Sequence, residues 1–361
     1  MNYTLTCLTP TLIGNGDELA PIDYMVWKDQ VNVLDQRRIF KLFARGPRLD
    51  GYLAQLKKAT KLDFASWGGL AQNYAGRRIP FEHASMTRHF ERASPEHLFI
   101  RTFSSNSAGG IYVPGTAIKG ALRTGTVFAG WNDNAWQNVN SQLGSGDRIP
   151  QRLAAQADDR IAGKKFSSVG SSDSTPLPNT ATRVYLTRSS TLAGREGSKL
   201  ELAWKRSPSG STKSADDATP TFIEMAQPGS VFEGVFHAKD STTLFRAANQ
   251  FAAGLLANQA NYAETGKLSK LAEAVKALQT EAERASESRT RCLLPLGWGG
   301  GFLGKAALTD SNSDAVRDVL RKLPFYQRVI QSGLPFPKTR RVVFINDQPA
   351  TLAGWMLLEI R

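Results

Sequence analysis

Apolar residues fall at every second position between Asn2 and Leu8, where Tyr3, Leu5 and Cys7 alternate with threonines. That period of two predicts a strand with one buried face. The pattern then gives a pair of strands, Tyr24 to Lys28 and Val31 to Leu34, turning at Asp29 and Gln30. Next the period lengthens: Asp35 is placed to cap a helix that turns Ile39, Phe40, Leu42 and Phe43 inward and leaves Arg37, Arg38 and Lys41 outside. Residues 48 to 95 read as further helices, with Leu49, Leu53 and Leu56 at helical spacing, and Leu98 to Phe103 returns as a strand. After a turn at Gly109 and Gly110, IYVPGTAIKGALRTGTVFAG predicts a short strand, a Pro114–Gly115 turn and a helix from near Thr116.

The polar stretch from Ser141 to Asp159 marks a boundary, dividing the chain into residues 1–150 and 151–361. Val184 to Leu186 alternates like a strand. Gly194 to Pro220, which holds SPSGSTKSADDATP, has too few apolar residues to order itself and predicts a mobile hairpin tip or loop. From Thr221, two strand-like runs flank a Pro228–Gly229 turn. Two Ala-rich helices follow, striped by Leu244, Ala247, Phe251 and Leu255 and by Leu268, Leu271, Val275 and Leu278, with Gly266 between them. A helix near Asp314 to Leu323, the basic run KTRRVVF from Lys338 and a closing strand, Trp355 to Ile360, complete the order.

Between the second Ala-rich helix and that end lies LLPLGWGGGFLGK, Leu293 to Lys305. Its glycines let backbone lie against a ligand, and Trp298, Phe302 and Lys305 supply stacking surface and charge. Gly299 to Lys305 also fits the phosphate cradle of a P-loop, with VVFIND at Val342 to Asp347 resembling a strand that ends in a metal-binding Asp. Ala306 stands where a metal-binding hydroxyl is required, and residues 306–361 are too few for the parallel βα units such a sheet needs, so an NTPase is set aside. In the central helix, Lys119 and Arg123 share a face four residues apart beside the free N–H groups of the first turn. An anion site and a simple core helix capped by Thr116 fit that spacing equally.

Charge narrows the field of partners. Lys and Arg total 45 against 32 acidic residues, a net charge of +13 with a pI near 9.8, which suits a polyanion such as nucleic acid. With 41% hydrophobic residues the chain can bury a sizeable core. Cys7 and Cys292 alone form neither a metal-binding spacing nor a disulfide framework, which fits a reducing compartment. No segment has the length and apolarity of a membrane span or the form of a secretory leader, so the expectation is a soluble, unprocessed, cytoplasmic protein without membrane, metal or cofactor.

Taken in order, LTPTLIGNGDELAPIDY, VPGTAIKGALRT, SSDSTPL, EMAQPGSVFEG and LPLGWGGGFLGK, with KTRRVV and LAGWMLLEI after them, resemble the RAMP superfamily of type III CRISPR effector complexes. The wording is most similar to the subunit that caps the 3′ end of the guide RNA in the type III-A Csm complex. The resemblance implies an α+β fold of two ferredoxin-like (RRM-type) domains with helical insertions and glycine-rich loops, and a thumb-like insert near 190–222. It implies crRNA as ligand, target RNA, a neighbouring backbone subunit, a small subunit and a host nuclease as partners, and a role in crRNA maturation and antiviral defence. The candidate RNA contacts are Gly14, Gly16, Arg37, Arg38, Gly115, Thr116, Lys119, Arg123, Ser172, Gly297, Trp298, Gly299, Gly300, Gly301, Lys305, Lys338, Arg340 and Arg341. The family pattern PGSSIKG reads PGTAIKG here, which removes one hydroxyl that could meet a phosphate.

A metal-independent endoribonuclease of the same superfamily is the competing reading, since it needs a general acid and base and histidine is the usual choice. His83, His89, His97 and His237 all lie away from the opening strand, hairpin and helix, and none is placed with a glycine loop. The expectation is therefore a non-catalytic RNA-binding subunit. A pure assembly protein with little RNA contact is disfavoured by the charge.

Overall fold

The fold is seen in a computed structural model that describes residues 1–44, 48–58, 74–132, 137, 140–141, 163–194, 199–206, 210–308 and 313–361. The chain opens with β1 (Asn2–Cys7) and β2 (Glu18–Leu19). A three-stranded unit follows from β3 (Tyr24–Val26), β4 (Gln30–Leu34) and β5 (Ala75–Pro80), with helices α1 (Gln36–Phe43) and α2 (Arg48–Lys58) inserted before its last strand. Then come α3 (Met86–Arg92), β6 (Ile100–Arg101), α4 (Gly115–Ala129), β7 (Gly170–Ser171) and the long β8 (Thr182–Ala193). Next are β9 (Glu201–Arg206), β10 (Gly210–Thr212), β11 (Thr221–Ala226) and β12 (Val231–His237). Helices α5 (Ser241–Thr265) and α6 (Ser269–Ser286) lead to β13 (Arg291–Pro295), α7 (Gly301–Ala306), α8 (Asp314–Arg321) and α9 (Pro324–Gln331). The chain finishes with β14 (Thr339–Ile345), β15 (Gln348–Thr351) and β16 (Trp355–Ile360).

This is the mixed α+β architecture the sequence implies. A five-stranded antiparallel sheet runs β13-β16-β1-β12-β7, and β1 buries Tyr3, Leu5 and Cys7 as its alternation requires. A larger sheet runs β10-β9-β8-β11-β6-β2, with β14 on the other side of β8 and β15 beyond it. The turn at Pro228–Gly229 carries the chain from β11 in the larger sheet to β12 in the smaller, and Gly229 N–H donates to Cys7 O at 2.8 Å. The boundary expected at 150/151 lies outside the described residues; each large sheet holds strands from before and after it.

Successive residues of β8, β11 and β14 feed two cores. Leu186, Phe222, Val342 and Phe344 pack toward α5 and α6 with Leu255 and Val275. Tyr185, Ile223, Met225 and Val343 pack on the other face with Leu5, Phe232, Phe236, Ile118 and Leu122. Along the edge of β13, Asn249 of α5 supplies both missing partners: Leu293 N–H donates to its Oδ1 at 2.9 Å, and its Nδ2 donates to Arg291 O at 3.2 Å.

Several local expectations shift. The first hairpin turns at Lys28 and Asp29, both with positive φ, one residue earlier than the pattern predicts. Phe40 is 48% exposed instead of inward, while Ile39 and Phe43 form a small core with Leu34 and Tyr52. The stretch expected to be helical to residue 95 contains β5, which pairs with β4. Residues 195–198 and 207–209 of the segment expected to be a mobile tip lie outside the described residues; the rest is anchored on the larger sheet, where β9 pairs with Ser190–Ala193 and Trp204 and Ala218 are buried.

Candidate nucleic-acid interface

Register in the larger sheet brings scattered residues to one face. Arg341 of β14 stands opposite Ser189 of β8, Thr187 opposite Thr221 of β11, and Ile223 opposite Arg101 of β6. Directly paired residues share a face, so Arg341, Ser189, Thr187, Thr221 and Arg101 continue the face whose inner part is Tyr185, Ile223 and Val343. Where that core ends, the face turns polar and basic.

The glycine loop borders this polar end. The Arg341 guanidinium lies 4.6 Å from the centre of the Trp298 ring, a cation–π contact. Trp298 is fixed by its backbone N–H, which donates to Leu12 O at 2.8 Å. That approach requires glycine at the preceding position: Gly297 has φ +73°, and a Cβ there would meet Leu12 O at 2.1 Å. The segment after β1 that carries Leu12 accepts in turn from Ser104 N–H through Ile13 O at 2.9 Å and from Thr102 N–H through Asp17 O at 3.2 Å. Gly14 and Gly16, both exposed, therefore sit between the glycine loop and the strand carrying Arg101.

Burial pushes the Arg341 guanidinium below the ordinary arginine value, and the like charge of Arg101 pushes it further. Among the described residues neither has a carboxylate within ion-pair distance. Glu18 of β2 stands opposite Arg101 but forms no ion pair with it. Two neighbouring cations, with no ion-paired carboxylate among the described residues, beside an aromatic ring and backbone that can be approached closely, make a surface suited to a polyanion with stackable rings. Behind it, a cavity of about 230 Å³ is lined by Gly299, Gly300, Gly301, Ser189, Arg340 and Arg341.

The remaining candidates divide. Gly299 and Gly301 have positive φ, but Gly300 has φ −60° and a Cβ there would meet only ordinary contact, so the expected backbone restriction at Gly300 is absent. Lys305 is exposed at the end of α7 and does not line the cavity. Arg340 reaches the cavity wall, yet its guanidinium is committed inside the fold. It donates to Gln259 Oε1 at 2.6 Å, Asn258 Oδ1 at 2.5 Å, and the carbonyls of Pro337 and Thr339 at 2.7 and 3.0 Å, and it lies 4.6 Å over Tyr262. Burial lowers its pKa to about 10. Lys338 is half-buried, with its carbonyl accepting from Leu192 N–H at 2.8 Å.

A second group gathers at the start of α4. Pro114 is the cap, so Thr116 does not serve as one; it is exposed, and Lys119 and Arg123 are half-buried on the same helix. The Gly115 N–H donates to Asp173 Oδ1 at 2.9 Å, so the protein's own carboxylate already meets a free donor of this helix end. Gly115 is held against Ser171, whose carbonyl oxygen would lie 2.1 Å from any Cβ. Ser172 ties this corner to the five-stranded sheet, since Tyr3 OH donates to its carbonyl at 3.2 Å and Val235 N–H to its hydroxyl at 2.9 Å. Arg37 and Arg38 stand apart, exposed on α1 beside the three-stranded unit, where Asp35 accepts from Arg38 N–H at 3.0 Å and caps the helix as expected.

Sequence reading missed Arg101 and Ser189. Arg101 was visible in principle, because it follows Ile100 in a strand-like run and must take the other face. Ser189 carried no such signal. The P-loop alternative fails on geometry as well: β13 is antiparallel to β16, and Asp347 binds Arg88 and His89.

A family model described as the RAMP superfamily matches residues 4–323. The chain belongs to the RAMP superfamily. Among solved structures, it is similar to a chain of a Csm–crRNA–target RNA ternary complex of a type III-A CRISPR–Cas system. That match has 18% identity and a TM-score of 0.64, covering 99% of this chain and 100% of the other. It is also similar to Csm5 of T. onnurineus, with 17% identity, a TM-score of 0.60, and 98% and 99% of the two chains covered. No curated protein sequence matches the chain.

Proposed function

We propose that the chain is a non-catalytic, crRNA-binding subunit of a type III-A CRISPR effector complex, working in the cytoplasm in crRNA maturation and antiviral defence. The observation that carries this reading is the basic face of the larger sheet, where Arg341 stacks on Trp298 beside Arg101 and neither has an ion-pair partner among the described residues. Family membership and the fold shared with chains of Csm assemblies support the same assignment. In this reading the five-stranded and larger sheets are the cores of two ferredoxin-like halves. The RNA lies along the polar face, and the chain caps the guide's 3′ end while docking on a neighbouring backbone subunit and a small subunit.

The surroundings of the histidines support a non-catalytic role. His89 is buried between Asp347 and Arg188, the His83 ring pairs with Ser85, His97 faces Glu96, and His237 sits on β12 opposite Gly170. None of these lies on the glycine-loop face. The deciding experiment isolates the protein from cells that express a guide and sequences the RNA it retains. A shared, protected 3′ end is expected. RNA with random ends, or metal-independent cleavage of a guide precursor that disappears in a single His variant, sinks the proposal.

A further inference from the structure

Arg188 and Ser189 are consecutive on β8, so their side chains leave opposite faces of the sheet. Ser189 belongs to the glycine-loop face. Arg188 turns to the reverse side, onto a cavity of about 410 Å³ bounded by α3 and by the segment between β10 and β11. That volume lies within the range of about 300–1,000 Å³ in which small-ligand pockets fall.

The floor of this cavity holds a buried cation with donor capacity to spare. Arg188 is 2% exposed. Its guanidinium lies 5.1 Å from the centre of the Phe344 ring, and Nη1 donates to Asp216 Oδ1 over 3.3 Å. Nη2 donates to His89 Nδ1 at 3.4 Å. His89 can accept there because its Nε2 faces Asp347 Oδ1 at 2.5 Å, which places the ring proton on Nε2. The Nε–H of Arg188 has no hydrogen-bond partner among the described residues. Nη1 and Nη2 each carry a second N–H beyond these two bonds, which leaves donors for an incoming acceptor.

The charges around the floor are unequal in effect. Asp216 is the only carboxylate in contact with Arg188 among the described residues, and its side chain is 79% exposed. Asp217 and Glu96 are exposed as well, with Glu96 accepting from Ser94. Water and salt screen these carboxylates, and Asp347, the largely buried carboxylate that also acts on Arg188, is bound by Arg88 and His89. Arg92 and Arg206 line the same cavity, exposed and without an ion-pair partner among the described residues.

We propose that this cavity is a second anion site that takes a phosphate ester. The Arg188 guanidinium meets one phosphate oxygen at the floor through the second N–H of Nη1 or Nη2, and Arg92 and Arg206 meet the others from the rim. Guanidinium forks match phosphate geometry, and several of them converge here. The ester is supplied either by a polynucleotide backbone or by a free nucleotide. The site is separated from the glycine-loop face by the sheet itself and stands independently of the function proposed above.

The test uses the full chain and three probes: inorganic phosphate and adenosine 5′-monophosphate by titration calorimetry, and a short labelled oligoribonucleotide by anisotropy. The double variant Arg92→Gln with Arg206→Gln changes only exposed side chains and is expected to keep the melting temperature. It should weaken binding of phosphate and the nucleotide about tenfold, and Arg188→Lys should do the same. Arg341→Gln should leave both affinities unchanged. Exclusion of phosphate by saturating oligoribonucleotide identifies the backbone as the source, and simultaneous binding identifies the free nucleotide; either result supports the site. A double variant that matches the wild type for all three probes overturns it. Failure of Arg341→Gln to weaken oligoribonucleotide binding counts against the glycine-loop reading alone.

Discussion

Arg340 and Arg341 are neighbours in sequence, and only the pleat of β14 tells them apart. Arg341→Gln should weaken binding of single-stranded RNA and lower the slope of log affinity against log salt by about 0.7, the share of one phosphate contact. Its melting temperature should barely move. Arg340→Met should do the reverse: it leaves Asn258 and Gln259 without their donor, costing about 1–3 kcal/mol of stability, while the folded fraction binds RNA normally. Equal affinity losses in both variants would show that the two faces are not functionally distinct. Glycines divide in the same way. Gly297→Ala places a Cβ against Leu12 O in a backbone conformation that L residues rarely adopt, whereas Gly300→Ala meets no obstacle, so thermal melts should separate the two sharply. Asp347 gives a pH signature. Burial alone would raise its carboxyl pKa, but the hydrogen bonds from His89 and Arg88 and the charge of Arg88 outweigh burial and hold it below the usual carboxylate value. A depressed folded-state pKa adds stability that is present above the unfolded value of about 3.9 and is lost as pH falls through the folded one. The stability gap between wild type and Asp347→Asn should therefore be full at neutral pH and close in acid, as read from denaturant melts.

At the scale of elements, legibility followed the strength of the repeating pattern. The stripes of α5 and α6 are long, and the residues that mark them are buried or half-buried, as the spacing requires. Strand β5, AGRRIP, was lost in a helical reading because it is short and shows two arginines, one of which is neutralised only in the fold: Arg77 pairs with the fully buried Glu224. Local sequence carries no trace of a partner so far along the chain. Removing one side of that pair, as in Glu224→Ala, should cost about 3–5 kcal/mol, because Arg77 is left as an uncompensated buried charge. A denaturant midpoint within error of wild type would show that the pair is idle. The β9–β10 hairpin failed the composition argument for a related reason. Its order comes from Trp204, which packs against Phe344 of a strand much later in the chain, with ring centres 5.5 Å apart. The glycine turn between β13 and α7, in contrast, was visible in sequence, although Gly301 to Lys305 are helical. Its candidate-site neighbours Arg101 and Ser189 become neighbours only through sheet register.

For the whole molecule, part of the basic surplus has a place in the structure: Arg341 and Arg101 on one face of the larger sheet, Arg188, Arg92 and Arg206 on the other. The sequence shows the surplus but not that these cations take two sides. The five-stranded sheet has a further consequence, for folding in time. Its central strand β1 is made long before its neighbour β16, and the Thr9 hydroxyl accepts from Trp355 N–H across 346 positions. Closing so large a loop must precede any reward from the contacts it brings together, which makes the topology slow. Until β16 has left the ribosome, β1 has an open edge facing β13, and that edge can pair with whatever strand it meets. A nascent chain stalled short of Trp355 is therefore expected to be protease-sensitive at the sheet and prone to aggregate, and the emergence of β16 is the event that seals it.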